Sequence, residues 1–177
     1  GAKIIPARGV WIEIESEVGG AIYIRIDKKR KFPATALLRA MGYVDNEAIL
    51  KAFAHKDPVF EETIKVCLAK DGIKSLNDSY IEIYKRLRDG DMATAENAKE
   101  FINSLFTPER YDISPVGRFR FNQRFDKGMD EAALARRTIS KEDLVTVIMH
   151  IVTLNNTPGA KSDDIDHLGQ RRVRFVG

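Results

Sequence analysis

The chain has 177 residues, 44% of them hydrophobic, with 29 Lys+Arg against 26 Asp+Glu for a formal net charge of +3. That length and apolar content suit one globular unit with a real core, while the charge excess is too small to argue nucleic-acid binding unless cations cluster locally. A single cysteine, Cys67, excludes an internal disulfide and favours a reducing, cytoplasmic setting.

The N-terminus lacks the basic-then-apolar pattern of a secretory signal and enters a strand pattern almost at once, as expected of a chain cut from something larger. From Val10 to Asp27 apolar and polar residues alternate around a loop, Ser16 to Gly20, which predicts a β-hairpin. Pairing Ile14 with Ile22 and Ile12 with Ile24 puts every isoleucine on one face, and the outward face then pairs Trp11 with Arg25 and Glu13 with Tyr23.

After the hairpin the period turns helical. Pro33 suits the first turn of "ATALLRAM", Gly42 its stop, and Asp45 or Asn46 the cap of "EAILKAFAH". A further helix is expected from Pro58 to about Lys70. Asp78 or Ser79 is expected to open "YIEIYKRLR", closed by Asp89-Gly90, and Thr94 to cap "AENAKEFINSLF".

Beyond Pro115, "VGRFRFNQRF" alternates Phe119 and Phe121 with Arg118 and Arg120, which predicts a return to extended chain. Residues 126–139 are charged and lack an apolar stripe, as in an exposed excursion. Ser140 followed by Asp143 resembles a capping box for a helix over 141–154. Its apolar run, "LVTVIMHIVTL", carries Thr146, His150 and Thr153 and falls short of the roughly 18 residues of a membrane span, so it reads as a core helix. Together these elements give an α+β class: a small antiparallel sheet, built from the N-terminal hairpin plus a later strand, packed with several α-helices.

Chemistry is concentrated in "DDIDHLGQRRVR", Asp163 to Arg174. A calcium loop starting at Asp164 would place Leu168 fifth and Phe175 twelfth, where oxygen ligands belong. Zinc would want several Cys or His, yet His55, His150 and His167 stand far apart beside one cysteine. No metal site and no catalytic residue is therefore assigned, and no nucleophile elbow or phosphate-cradling glycine loop is present. Cys67 and His150 read as core or boundary residues. A two-carboxylate hydrolase using Asp163, Asp164 and Asp166 stays open, although aspartates beside arginines are usually ion-paired.

The cations say more. "RIDKKRK" sets five positive charges in seven positions, including Arg25, Lys28, Lys29 and Arg30, and Arg171, Arg172 and Arg174 form a second group. The hairpin register leaves Trp11, the sole tryptophan, on the polar face. An aromatic ring beside cations can stack an unpaired base while the cations neutralise phosphate; Arg25 packing on the indole is the structural alternative.

The blocks "AKIIPARGVWIEIE", "YIRIDKKRKFPATALLRAMGY", "IEIYKRLRDGD", "RYDISPVGRFRFN" and "DDIDHLGQRRVR" resemble, in the same order, the lobe of the beta subunit of bacterial RNA polymerase, its second domain. The resemblance runs from about Ala2 to Gly177; residues 123–139 match poorly, and Ala7 stands where many members have tyrosine. It implies one lobe domain over residues 1–177 of a much longer subunit, non-catalytic by itself, in a cytoplasmic, nucleoid-associated enzyme. The implied partners are DNA, as downstream duplex and non-template strand, together with other polymerase subunits and sigma factor, and no membrane. No cofactor is implied here, since the catalytic Mg2+ of the family belongs to the other large subunit. By the same resemblance Trp11 matches a tryptophan that stacks on a non-template base. Asp166 and Arg171 match a pocket for a flipped guanine, and Arg88 matches an arginine along that strand. Two rivals remain: a protein-docking module with no direct DNA role, and a metal-dependent phosphodiesterase.

Overall fold

The computed structural model of the chain describes residues 1–88, 90, 92–160 and 173–176. Strands β1 (Ala2–Ile4), β2 (Ile12–Ser16), β3 (Ile22–Ile26), β4 (Phe32–Pro33) and β5 (Val173–Phe175) form one antiparallel sheet in the order β4-β3-β2-β1-β5. Every second residue points to one side. Ile26, Ile12, Ile4 and Val173 make one buried row across four strands, and Phe32, Ile24, Ile14, Ala2 and Phe175 the next. Burial of each Ile or Phe contributes about 1.5–3 kcal/mol before entropy is counted, so this face anchors the fold.

Helices α1 (Ala34–Met41), α2 (Asn46–Ala52), α3 (Val59–Asp71), α4 (Leu76–Leu87), α5 (Ala95–Leu105), α6 (Pro115–Phe125), α7 (Glu131–Leu134) and α8 (Lys141–Asn155) are the helices among the described residues. The class is α+β, as the patterning predicts. Helix α1 is central: it packs on β3, β4, α2, α3, α4 and α8, so Leu37 and Leu38 are buried and even Thr35 and Arg39 are enclosed. Those two polar groups converge on Asp71, with Thr35 Oγ1 donating to Oδ2 at 2.7 Å and Arg39 Nη2 3.7 Å from the same oxygen. Gly42 ends α1 at φ 136°, a backbone region that a Cβ would strain.

The predicted caps Asp45, Thr94 and Ser140 are in place, Ser140 and Asp143 forming the full capping box. Helix α4, however, begins earlier than expected. Ser75 caps it by accepting from Asp78 N at 3.2 Å, so Asp78 and Ser79 lie inside the first turn. Asp89, expected at its close, lies outside the described residues. Residues 126–139 are mostly exposed, as expected, with the short helix α7 among them and Ile139 buried.

Two further expectations are corrected. The hairpin keeps its isoleucines on one face but pairs Ile12 with Ile26 and Ile14 with Ile24, putting Glu13 opposite Arg25 and Glu15 opposite Tyr23. A two-residue slip preserves the face, so hydropathy alone does not distinguish these registers. The turn does, because Glu17 N donates to Ala21 O and Gly20 N to Glu17 O, which closes the loop around residues 17–21.

The second correction concerns 115–125, expected as strand and found as α6. Ser114 caps it, accepting from Gly117 N at 3.0 Å, and Pro115 fits the first turn because it needs no amide donor. Its buried residues, Gly117, Arg118, Phe121 and Asn122, follow a helical period, while Phe119 is exposed. Arg118 decides the matter. It is 2% exposed and grips Asp143 of α8 with both terminal nitrogens, at 2.8 and 3.2 Å, while donating to the carbonyls of Arg136 and Thr138. Beyond the hairpin, the strands of the sheet are β1, β4 and β5, none of them drawn from 115–125.

Candidate nucleic-acid interface

The chain leaves β3 through Asp27 and Lys28, both left-handed at φ 55° and 58°, and Lys29 N closes the turn on Ile26 O at 3.1 Å. Two such residues in succession make the tight primed turn that matches strand twist. The following segment, Lys29 to Lys31, runs beside the C-terminal end of α4. Arg30 Nη2 donates to Lys85 O at 3.3 Å, and Arg86 Nε donates to Lys31 O at 3.2 Å. The last-turn cations Lys85 and Arg86 also offset the negative end of the helix dipole.

Those contacts create an open cleft of about 680 Å³ lined by Arg25, Lys28, Lys29, Arg30, Arg86, Leu87 and Arg88. Six of its seven lining residues are cations drawn from two segments some 60 positions apart in sequence. Not all of that charge is equally available. Arg25 is shared between Glu15 Oε1 at 3.3 Å and Lys29 O at 3.1 Å, Arg86 pairs with Glu82 at 2.6 Å, and Arg88 lies over the Phe101 ring at 5.4 Å. Lys31, just outside the cleft, is held by Glu17 and sits over Tyr23. That carboxylate raises the Lys31 ammonium pKa above its ordinary value.

Trp11 is not among the lining residues and is linked to the cleft through Lys28. It precedes β2 on the outward side, half-buried, and its carbonyl accepts from Asp27 N at 3.0 Å, which ties it to the turn. The cation on its ring is Lys28, with Nζ 5.4 Å from the centroid, and not Arg25, which the structure commits to Glu15. The sequence-predicted residues Trp11, Arg25, Lys28, Lys29, Arg30 and Arg88 are thus brought to one end of the molecule. Arg86 is an addition. Its signal was present in "YKRLR", where it is two positions from Arg88, but only the packing of α4 against β4 shows that both reach the cleft.

Arg174 is not brought there. It lies in β5 at the opposite edge of the sheet from β4, in an outward row that runs Arg25, Glu13, Lys3, Arg174. Three strand spacings separate it from Arg25, about 14 Å. Asp166, Arg171 and Arg172 lie outside the described residues, as do Asp163, Asp164 and His167. Val173 of β5 shares its sheet row with Ile4, Ile12 and Ile26.

His150 and Cys67 take structural places. The His150 ring meets Phe175 at 4.4 Å and Phe125 at 5.2 Å, with Arg124 Nη2 3.2 Å from Nε2. Cys67 is buried, and burial pushes its thiol pKa up. Among the described residues no group of three His, Cys, Asp or Glu comes together to hold a metal ion, and no helix is long and apolar enough to cross a membrane.

A small α+β domain with one strongly cationic end is the kind of object these features define. Over residues 2–174 the chain matches the family described as RNA polymerase Rpb2, domain 2, and it belongs to that family. It is 41% identical over 178 residues to the DNA-directed RNA polymerase subunit beta of Syntrophomonas wolfei subsp. wolfei, which covers 100% of this chain and 15% of that protein. The subunit of the same name from Chloroflexus aggregans is 37% identical over 204 residues, covering 99% of this chain and 16% of that protein. The chain therefore spans under a fifth of the length of these relatives.

Proposed function

We propose that this chain is the lobe of a bacterial RNA polymerase beta subunit, a non-catalytic part that grips nucleic acid as the assembled enzyme melts and holds DNA. One observation carries the reading: the convergence of Arg25, Lys28, Lys29, Arg30, Arg86 and Arg88 around one open cleft, with Lys28 of that set lying over the Trp11 ring. Cations spaced along a groove neutralise successive phosphates, and a half-exposed indole beside them offers a face to an unpaired base. Single-stranded DNA, such as the non-template strand of a melted bubble, is the partner this combination fits best, with downstream duplex engaging the same cations.

In the assembled enzyme the chain would act with other polymerase subunits and sigma factor in the cytoplasm, at the nucleoid. The catalytic Mg2+ would be held by the other large subunit. Asp166 and Arg171 would complete the base-reading corner: an aspartate can accept from guanine N1 and N2, and an arginine can donate to the base or pair with phosphate. Arg172 would add positive charge there, whereas Arg174, on the β5 edge of the sheet, stands apart from the cleft.

Titration of the 177-residue chain with end-labelled single-stranded and forked DNA tests this. Affinity is expected to fall about tenfold or more between 50 and 200 mM salt, with a log–log slope of about −0.7 per phosphate neutralised on a single strand. Lys29→Ala together with Arg30→Ala is expected to weaken binding and flatten that slope by about one to two units. Binding that ignores both salt and the double substitution would remove the cleft from the reading.

A further inference from the structure

We infer that Lys28 positions Trp11, its ammonium covering one face of the indole so that an unstacked base is admitted on the other. The inference rests on the nucleic-acid reading above and assigns a division of labour within that same site.

The backbone is the first ground. Positions with φ above zero at the centre of a tight turn are ordinarily filled by Gly, Asn or Asp, because a Cβ with a longer side chain is strained there. Asp27 obeys that preference and Lys28, at φ 58°, does not. A lysine in this conformation suggests a task for its side chain that the turn does not need.

Geometry supplies the second ground. The turn is fastened to the tryptophan backbone by Asp27 N donating to Trp11 O at 3.0 Å, and Lys28 Nζ lies 5.4 Å from the indole centroid. No carboxylate within ion-pairing distance diverts it among the described residues, in contrast to Lys31, which sits over Tyr23 but is also tied to Glu17. Placing Lys28 beside Lys29, Arg30 and Arg25 is electrostatically unfavourable unless an anion or an electron-rich ring compensates, and the ring does so in the free protein. With one face taken by the cation, a base would stack on the opposite face of the half-buried indole. An ammonium at this position would also be able to pair with a phosphate flanking a base stacked there.

Trp11 is the only tryptophan in the chain, so its emission reads the arrangement directly. Lys28→Gly is the primary variant, because glycine suits the turn, and Lys28→Gln is the second, keeping a polar side chain one atom shorter and without charge. In the ligand-free protein both are expected to raise acrylamide quenching of Trp11 about twofold, since the covered face becomes accessible. Unchanged quenching overturns the inference.

The second readout compares an oligothymidylate with an oligomer of equal length made of abasic sites. The unaltered chain is expected to prefer the base-bearing strand about tenfold, and Lys28→Gly to cut that preference to about threefold. Equal weakening on both oligomers would make Lys28 a phosphate contact only, overturning the inference while leaving the nucleic-acid reading intact. Failure of the unaltered chain to bind either oligomer would instead overturn the nucleic-acid reading itself, and with it the base-admitting part of this inference.

Discussion

Arg118 and Arg30 lie in opposite electrostatic settings of one small protein. Around Arg118 every charge is answered: Asp143 takes two guanidinium nitrogens, Asn122 and the carbonyls of Arg136 and Thr138 take the remaining donors, and the group is 2% exposed. Around Arg30 positive charge accumulates, with six cationic residues lining one open cleft, among them Arg25 paired with Glu15 and Arg86 paired with Glu82. The first arrangement closes a core and the second leaves a field directed at solvent. Desolvation separates them: an ion taken out of water must be paired where it lies, whereas cations lining an open cleft keep water as part of their environment.

The largest expected effect lies at the buried pair. Asp143→Asn leaves Arg118 uncompensated and should lower stability by about 3–5 kcal/mol in urea denaturation. Replacing both residues, Arg118→Met with Asp143→Leu, should recover most of that loss. If the single substitution proves nearly neutral, the contrast between the two regions disappears.

The same pair sets an acid limit. Burial opposes ionisation of Asp143, but the Arg118 hydrogen bonds and charge, the Ser140 amide and Lys127 outweigh it and hold the carboxyl below its ordinary value of 3.8. A depressed folded pKa contributes stability that is present above the unfolded value and is lost as pH falls through the folded one. The Asp143 contribution should therefore persist down to about pH 4 and fade only below it. Denaturation midpoints compared with Asp143→Asn between pH 7 and pH 3 would show the two converging at the acid end.

An intermediate effect is expected at Ser75, whose hydroxyl caps α4 at the end remote from the cleft. Ser75→Ala should cost about 1 kcal/mol of stability by releasing the Asp78 amide. DNA affinity of the folded protein should stay within about twofold, because the capping loss falls at the far end of the helix from Arg86 and Arg88.

The smallest effect sharpens the comparison from the cationic side. Glu15→Gln removes the partner of Arg25 in a half-exposed pair and should change stability by less than about 0.5 kcal/mol. It should also tighten DNA binding modestly at low salt, since one more cation becomes available. Removing a carboxylate is thus expected to unravel one region and to improve the other.

Much of this was legible in the chain, for reasons that differ by element. The isoleucine face of the hairpin, the caps Asp45, Thr94 and Ser140 and the run Arg25 to Lys31 follow from local periodicity, capping chemistry and charge density, none of which needs long-range contacts. The hairpin register escaped because a slip of two preserves every face. Residues 115–125 escaped because Arg118, a charged residue in alternation with phenylalanines, imitates a surface strand until Asp143, 25 positions on, supplies its buried counter-charge. What the sequence determined by itself is therefore the chemistry present and the local elements that carry it. The tertiary structure alone decided which cations are neutralised and which are pooled. Arg86 and Arg88 join Lys28 to Arg30 only where α4 packs beside β4, and pairing across such distances is a property of the packed chain and not of any stretch within it.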